Sequence, residues 1–190
     1  MQRIACVLAL ALAGFTAAAQ ANADSYTIDP THTAARFEYN HLNWTTQAHR
    51  FDQTSGKILF DRAARSASVE VSIDARTVNT GYPVFNGHLQ GEDFFDAARF
   101  PAITFKSTAA RFDGDKLVAI DGDLTIKGIT KPVSLTVTSF QAGPHPVQKK
   151  RESIGANAVA RVKRSDFGMT KVPVVSDDIL LSFAVQAFKD

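Results

Sequence analysis

Five histidines and two pairs of carboxylates are the residues of this chain best suited to acid–base or metal chemistry: His32, His41, His49, His88 and His145, with Asp121 and Asp123, and Asp177 and Asp178. Imidazole binds metals readily, and His32, His41 and a carboxylate would make the natural candidate site. The spacing argues against one. The histidines are scattered, there is no H-E-x-x-H, and isolated strand histidines are more often hydrogen-bonded structural groups. Both carboxylate pairs fall where turns are expected, so solvated turn residues are the better reading. The chain also has no G-x-S-x-G elbow, no Walker A loop and no G-x-G-x-x-G turn. It is expected to be a non-enzyme without a metal or cofactor.

Two charged clusters have milder readings. The run R-V-K-R-S-D at residues 161–166 places three cations before an acid. A buried Arg164 would need a carboxylate partner, because an unpaired buried charge is very costly, so a structural ion pair is expected there. The run Q-K-K-R at residues 148–151 could touch anionic lipid head groups, but a solvated loop is the stronger reading. With 21 Lys+Arg against 19 Asp+Glu, the chain lacks the basic stripe of a nucleic-acid binder. Its aromatic content is the positive signal. Fourteen Phe stand among 190 residues, enough either to fill a core or to line a pocket for an apolar chain.

The elements that must position those aromatics alternate with period two. Ala35, Phe37, Tyr39 and His41 share one parity, against Arg36, Glu38 and Asn40 on the other. The same pattern recurs at Val69–Val71–Ile73, Val133–Leu135–Val137 and Ile179–Leu181–Phe183–Val185, which predicts half-buried strands. Asp113-Gly114 and Lys127-Gly128 supply hairpin turns. Residues 79–101 break the pattern. They are rich in Gly, carry Tyr82, Phe85, Phe94, Phe95 and Phe100, and read as a cover over one end, with a helical turn opening at Glu92-Asp93. The fold class is all-β and single-domain: seven or eight antiparallel strands in a closed barrel or a sandwich. Alternation alone leaves open which parity faces inward.

The N-terminus reads as a secretory signal peptide over residues 1–23: one Arg, an apolar run, then Ala-x-Ala sites, with cleavage before Asp24. Cleavage would remove the one Cys, leaving residues 24–190 as an exported domain held by packing without disulfides. No later segment is long and apolar enough for a membrane-spanning helix.

Several ordered motifs resemble the YceI-like family of exported, lipocalin-like proteins. They are Y-T-I-D-P-T-H at 26–32, His41-Leu42, D-F-F-D at 93–96, F-P-A-I-T-F at 100–105, G-D-L-T-I-K-G-I-T-K-P-V at 122–133, and R-S-D-F-G-M at 164–169. The resemblance runs from Tyr26 to about Phe188. It implies a lipocalin-like eight-stranded barrel holding a long apolar amphiphile: a polyisoprenoid, an isoprenoid quinone or a fatty-acid-like lipid. It further implies a periplasmic address, no catalysis, peripheral membrane contact during lipid exchange, and a homodimer as a common assembly. On this reading Phe37, Tyr39, Phe60, Val71, Ile73, Phe105, Val137 and Phe183 line the barrel, and Tyr82, Phe85, Phe94 and Phe95 cover or gate it. The chain departs from the family pattern at His49, where Gly is expected, across the uncharged residues 81–87, and at Gly91, where Ser is common. Those departures bear on ligand choice. The alternatives are a filled-core interaction module, a His/carboxylate metal enzyme, and an outer-membrane barrel, the last disfavoured by Arg36 and Glu38 on the outward face.

Overall fold

Strand pleating sends alternate side chains to opposite faces, and here the apolar set goes inward. In the computed structural model, which describes residues 22–190, Ala35, Phe37 and Tyr39 are buried while Arg36 is exposed. The expected leader lies outside the described residues except for its last two positions. The strands are β1 (Asp24–Ile28), β2 (Ala34–His41), β3 (Thr45–Phe51), β4 (Thr54–Asp61), β5 (Ser66–Asp74), β6 (Val78–Asn79), β7 (Ala102–Asp113), β8 (Lys116–Ile126), β9 (Ile129–Pro144), β10 (Glu152–Lys163) and β11 (Asp178–Lys189). One helix, α1 (Pro83–Gln90), joins them.

These eleven segments make an eight-stranded closed barrel, because three pairs of them are single strands bent in the middle. β1 and β2 both pair with β11, through Ile28↔Ala187 and Ala34↔Ala184. β4 and β3 follow them as the next strand, and β5 and β6 as the one after. The bends have local causes. Asp29 accepts from the Thr31 N–H (2.9 Å) and hydroxyl (2.7 Å), folding residues 29–33 out of the ladder. Asp74 accepts from the Arg76 N–H (3.0 Å) and caps a short 3-10 turn, Ala75–Thr77, between β5 and β6. Every neighbouring pair is antiparallel and consecutive in sequence, and the pairing of β1 with β11 closes the ring.

That closure carries a polar clasp. The Ser25 and Thr27 hydroxyls donate to the Asp190 carboxylate, and Lys57 Nζ lies 3.0 Å from it. These bonds hold the Asp190 carboxyl well below the usual carboxylate range.

The hairpin turns fall where Gly marks them. Between β8 and β9, Lys127 and Gly128 both have positive φ (53° and 73°), as a two-residue hairpin turn requires. Gly128 is also needed for space, since a Cβ there would sit 2.7 Å from the Phe100 ring. Two sequence expectations change. The helix spans Pro83–Gln90, where Pro can occupy the first turn, rather than opening at Glu92-Asp93. Asp121 and Asp123 lie within β8, not in a turn; Asp121 makes a two-pronged bond with Arg111 across to β7 (2.9 and 3.2 Å).

Candidate ligand-binding cavity

Inward alternation from all eight barrel strands gives the interior an apolar wall. Two cavities lie end to end inside it, of about 320 Å³ and about 90 Å³. Ala35, Ile73, Leu124 and Phe183 border both, forming a waist between the lobes. The larger lobe reaches the surface beside His88 and Val174, both exposed. It lies under α1 and the segment after it, where Phe95 packs its edge on Phe37 (5.6 Å between ring centres) and Phe51 (5.2 Å). The smaller lobe ends against Phe60, Phe140 and Ile154, and Thr33 and Thr54 are its only polar wall residues among those described.

The structure places the expected lining residues in two groups. Phe37, Tyr39, Phe85, Phe94 and Phe95 border the larger lobe; Phe60, Val71, Phe105 and Val137 border the smaller; Ile73 and Phe183 stand at the waist. Val71, Val137 and Phe183 pack against the core yet are only half-buried, because part of each side chain borders the cavity. Tyr82 is a correction. It caps the N-terminus of α1, is 63% exposed and touches neither lobe. Sequence reading missed Phe51, Leu124, Phe167 and Met169 on the larger lobe. Phe51 and Leu124 carried the signal of parity, and Phe167 and Met169 sit inside the motif at residues 164–169.

Two polar groups punctuate the larger lobe. Tyr39 Oη and His49 Nε2 are 3.1 Å apart, both residues buried, and His49 Nδ1 has no hydrogen-bond partner. The rings of Phe37 and Phe85 pack edge-on against His49, each 5.6 Å away. Burial lowers the His49 pKa, because desolvation penalises the imidazolium. An unfolded His takes its proton near pH 6.5. Below that, the unfolded state binds more protons than the folded one, so stability should fall as pH drops from about 6.5. Replacing His49→Phe should flatten that slope between pH 7.5 and 5.5 in thermal melts; a slope equal to the parent's would refute the assignment.

The second polar group is Arg164, which is buried but lacks the expected carboxylate. Its guanidinium donates instead to four backbone carbonyls: Ser176 (3.1 Å), Val172 (2.6 Å), Val175 (3.0 Å) and Met169. Asp177, the nearby acid, is occupied by the Ser165 N–H (2.9 Å) and hydroxyl (2.8 Å), which lower its pKa. A loop that makes no strand of its own can satisfy its carbonyls on a planar five-donor fork, and the charge is solvated by dipoles rather than by an anion. Arg164→Met should therefore release residues 169–176, which trypsin would report as faster cleavage after Lys171. Unchanged resistance would show that the other anchors suffice: the Ser176 N–H bond to the Asn40 carbonyl on β2 (2.9 Å), the Leu42 N–H bond to the Val174 carbonyl (2.9 Å) and the Lys171–Asp93 ion pair (2.8 Å).

The remaining candidates are dispersed. His32 bonds Asp29 (2.8 Å) at the β1–β2 bend, and His41 lines the larger lobe. Among the described residues, no three His, Cys, Asp or Glu side chains gather as a metal site. Lys149 and Lys150 are exposed, and the Arg151 guanidinium stacks on the Phe188 ring 3.7 Å from its centre.

An up-and-down antiparallel barrel with an apolar interior space is the architecture of small-ligand barrels. Within that class the chain belongs to the YceI-like family: the family model for the YceI-like domain matches residues 26–187. Protein YceI of Escherichia coli O157:H7 is 34% identical over 173 residues, covering 89% of each chain. A UPF0312 protein of Vibrio cholerae is 33% identical over 152 residues, covering 78% of this chain and 79% of its own. Among solved structures, Burkholderia cenocepacia BcnA superposes with a TM-score of 0.70 at 26% identity, covering 84% of this chain and 98% of that one. A Saccharophagus degradans domain, described as polyisoprenoid binding and implicated in plant cell wall breakdown, has a TM-score of 0.63 at 19% identity, covering 87% and 98%. That last likeness is one of fold.

Proposed function

We propose that this protein is a non-catalytic carrier that holds one long apolar chain lengthwise, with its polar end in the larger lobe and its tail past the waist. The observation that carries this reading is the smaller lobe: a cavity walled by aliphatic and aromatic side chains apart from Thr33 and Thr54. It shares Ala35, Ile73, Leu124 and Phe183 with the larger one and so suits a tail. Each buried methylene contributes about 0.8 kcal/mol, so roughly ten of them offset much of the 4–15 kcal/mol lost in immobilising a ligand. A polyisoprenoid fits this shape, in keeping with the description of the Saccharophagus degradans domain; an isoprenoid quinone or fatty-acid-like lipid shares the same tail chemistry. Export to the periplasm after loss of residues 1–23 belongs to the same proposal, as do brief peripheral contact with a membrane during lipid exchange and assembly as a homodimer.

Native mass spectrometry of the protein purified from periplasm without detergent tests it, followed by solvent extraction. The expected result is a mature chain starting at Asp24 with an added mass that extracts as a single lipid. The same spectrum reads the oligomeric state. A bare mass that stays bare after incubation with prenyl lipids and fatty amides would favour a filled-core interaction module.

A further inference from the structure

Connections in an up-and-down barrel alternate between its two ends, so residues 42–44, 80–101, 127–128 and 164–177 gather at one end, where the larger lobe opens. That end carries most of the large apolar side chains left in water. Among the described residues these are Leu42, Trp44, Tyr82, Val84, Ile129 and Val174, and only Val147 stands at the other end. Trp44 is 86% exposed. The same end is short of charge. Residues 39–49, 77–91 and 172–176 contain no Asp, Glu, Lys or Arg, although 21% of the chain is charged. Each of these stretches reaches the wall of the larger lobe, through His41, His88 and Val174. Three of the charges that bound them are already paired: Arg50 with Asp52 (2.6 Å), Arg76 with Asp74 (2.7 Å) and Lys171 with Asp93 (2.8 Å).

The turn between β2 and β3 holds its apolar tip in a fixed place. Leu42 and Asn43 both have a φ of 57°, as a two-residue hairpin turn requires, and the Trp44 N–H donates to the His41 carbonyl (3.0 Å). A left-handed position ordinarily goes to Gly or Asn, so an exposed Leu there serves neither the turn nor solubility. The Leu42 N–H bond to the Val174 carbonyl ties this tip to the loop across the mouth. Indole, with an apolar body and one N–H donor, favours the boundary between acyl chains and head groups. A protein seated on this rim would seal the mouth. A bilayer covers the same side chains and also supplies the tail, which then need not cross water to enter the barrel.

We propose that the mouth end is a membrane-docking face, on which the Leu42–Trp44 turn, Val84 on α1 and Val174 enter the interface of a bilayer without requiring anionic lipid. This rests on the carrier reading above and adds to it the surface of the membrane contact and the character of the lipid it meets. The basic loop at residues 148–151 lies at the other end, where Lys149 and Lys150 are exposed, and stays in water. The uncharged residues 81–87, a departure from the family pattern, thereby gain a role particular to this chain.

Trp44 is the one tryptophan of the chain, so its fluorescence reads this face directly. The test titrates the protein with vesicles of phosphatidylcholine alone, then with vesicles that also contain phosphatidylglycerol. On phosphatidylcholine the Trp44 emission should move to shorter wavelength and be quenched more by lipids brominated near the head group than near the chain end. Binding should change less than about twofold in about 0.5 M salt, which screens exposed charges. Val84→Asp, a residue suited to the first turn of a helix, should weaken vesicle binding at least about tenfold. Reversing the distant charges with Lys149→Glu and Lys150→Glu should leave it within about twofold. Three results would each overturn the inference: no binding to phosphatidylcholine, binding that needs phosphatidylglycerol and is lost in salt or on reversing the loop, or vesicle binding unmoved by Val84→Asp. A Trp44 shift that grows with protein concentration in the absence of vesicles would overturn it too, in favour of a second copy of the chain on this face. Protein that carries an extractable lipid yet leaves Trp44 unmoved on vesicles would keep the carrier reading and remove this one. A bare protein that docks would do the reverse.

Discussion

Ala35→Phe is expected to shorten the chain that the barrel accepts, cutting affinity for a chain that spans both lobes by about a hundredfold. Ala35 is 3% exposed, borders both cavities and lies opposite Phe51 on β3 and Phe183 on β11. A phenyl ring there would fill the waist. Losing the smaller lobe removes contact with about four methylenes, or roughly 3 kcal/mol, which is about two decades in affinity. Ligands short enough to stay in the larger lobe should bind as before. The measurement is a ladder of one head group on tails of increasing length. In the parent protein affinity should climb until both lobes are filled, and in the variant it should level off early. Two ladders that climb together would show that the tail does not pass the waist.

Gly122→Val should destabilise the barrel by about 3 kcal/mol, lowering the melting temperature by roughly 6–12 °C. Gly122 faces inward on β8, opposite Ser107 on β7. A Cβ at that position would lie 2.5 Å from the Lys106 carbonyl oxygen and 2.5 Å from the Phe105 ring. The ring can move, but the carbonyl belongs to the ladder and cannot. A second substitution separates the two contacts. Adding Phe105→Leu should recover only part of the loss; full recovery would place the whole clash on the ring.

The strands were largely legible in the sequence, because each apolar run repeats every second residue and the turns carry their own residues, whereas alternation alone left open which parity faces inward. Phe37, Phe105 and Phe183 could be placed on the apolar face for that reason. The bends were not legible. Nothing in the strength of alternation says that β1 and β2 share one strand position, since the Asx turn at Asp29 looks locally like any turn. Tyr82 was misplaced because aromatic composition does not reveal which way a capping residue points. Arg164 was misread differently: burial of a cation was anticipated, but four carbonyls from an irregular loop solvate it, and backbone acceptors leave no trace in a pattern of side chains. The Tyr39–His49 pair was hidden for a similar reason. Its members lie on adjacent strands, and cross-strand register follows from the geometry of the turn between them.

The clasp at Asp190 has a consequence for the order of events in folding. Every other pairing in the barrel joins strands that are neighbours in the chain and can form as soon as each hairpin exists. The pairing of β11 with β1 and β2 instead joins residues some 150 positions apart, as in Ala34↔Ala184, and cannot begin until the final strand is available. Ring closure is therefore the step with the largest loop to close and should set the folding rate. Until it occurs, β1 and β2 present an unpaired edge to other chains, which makes this interval the one in which a half-built barrel is most open to misassociation.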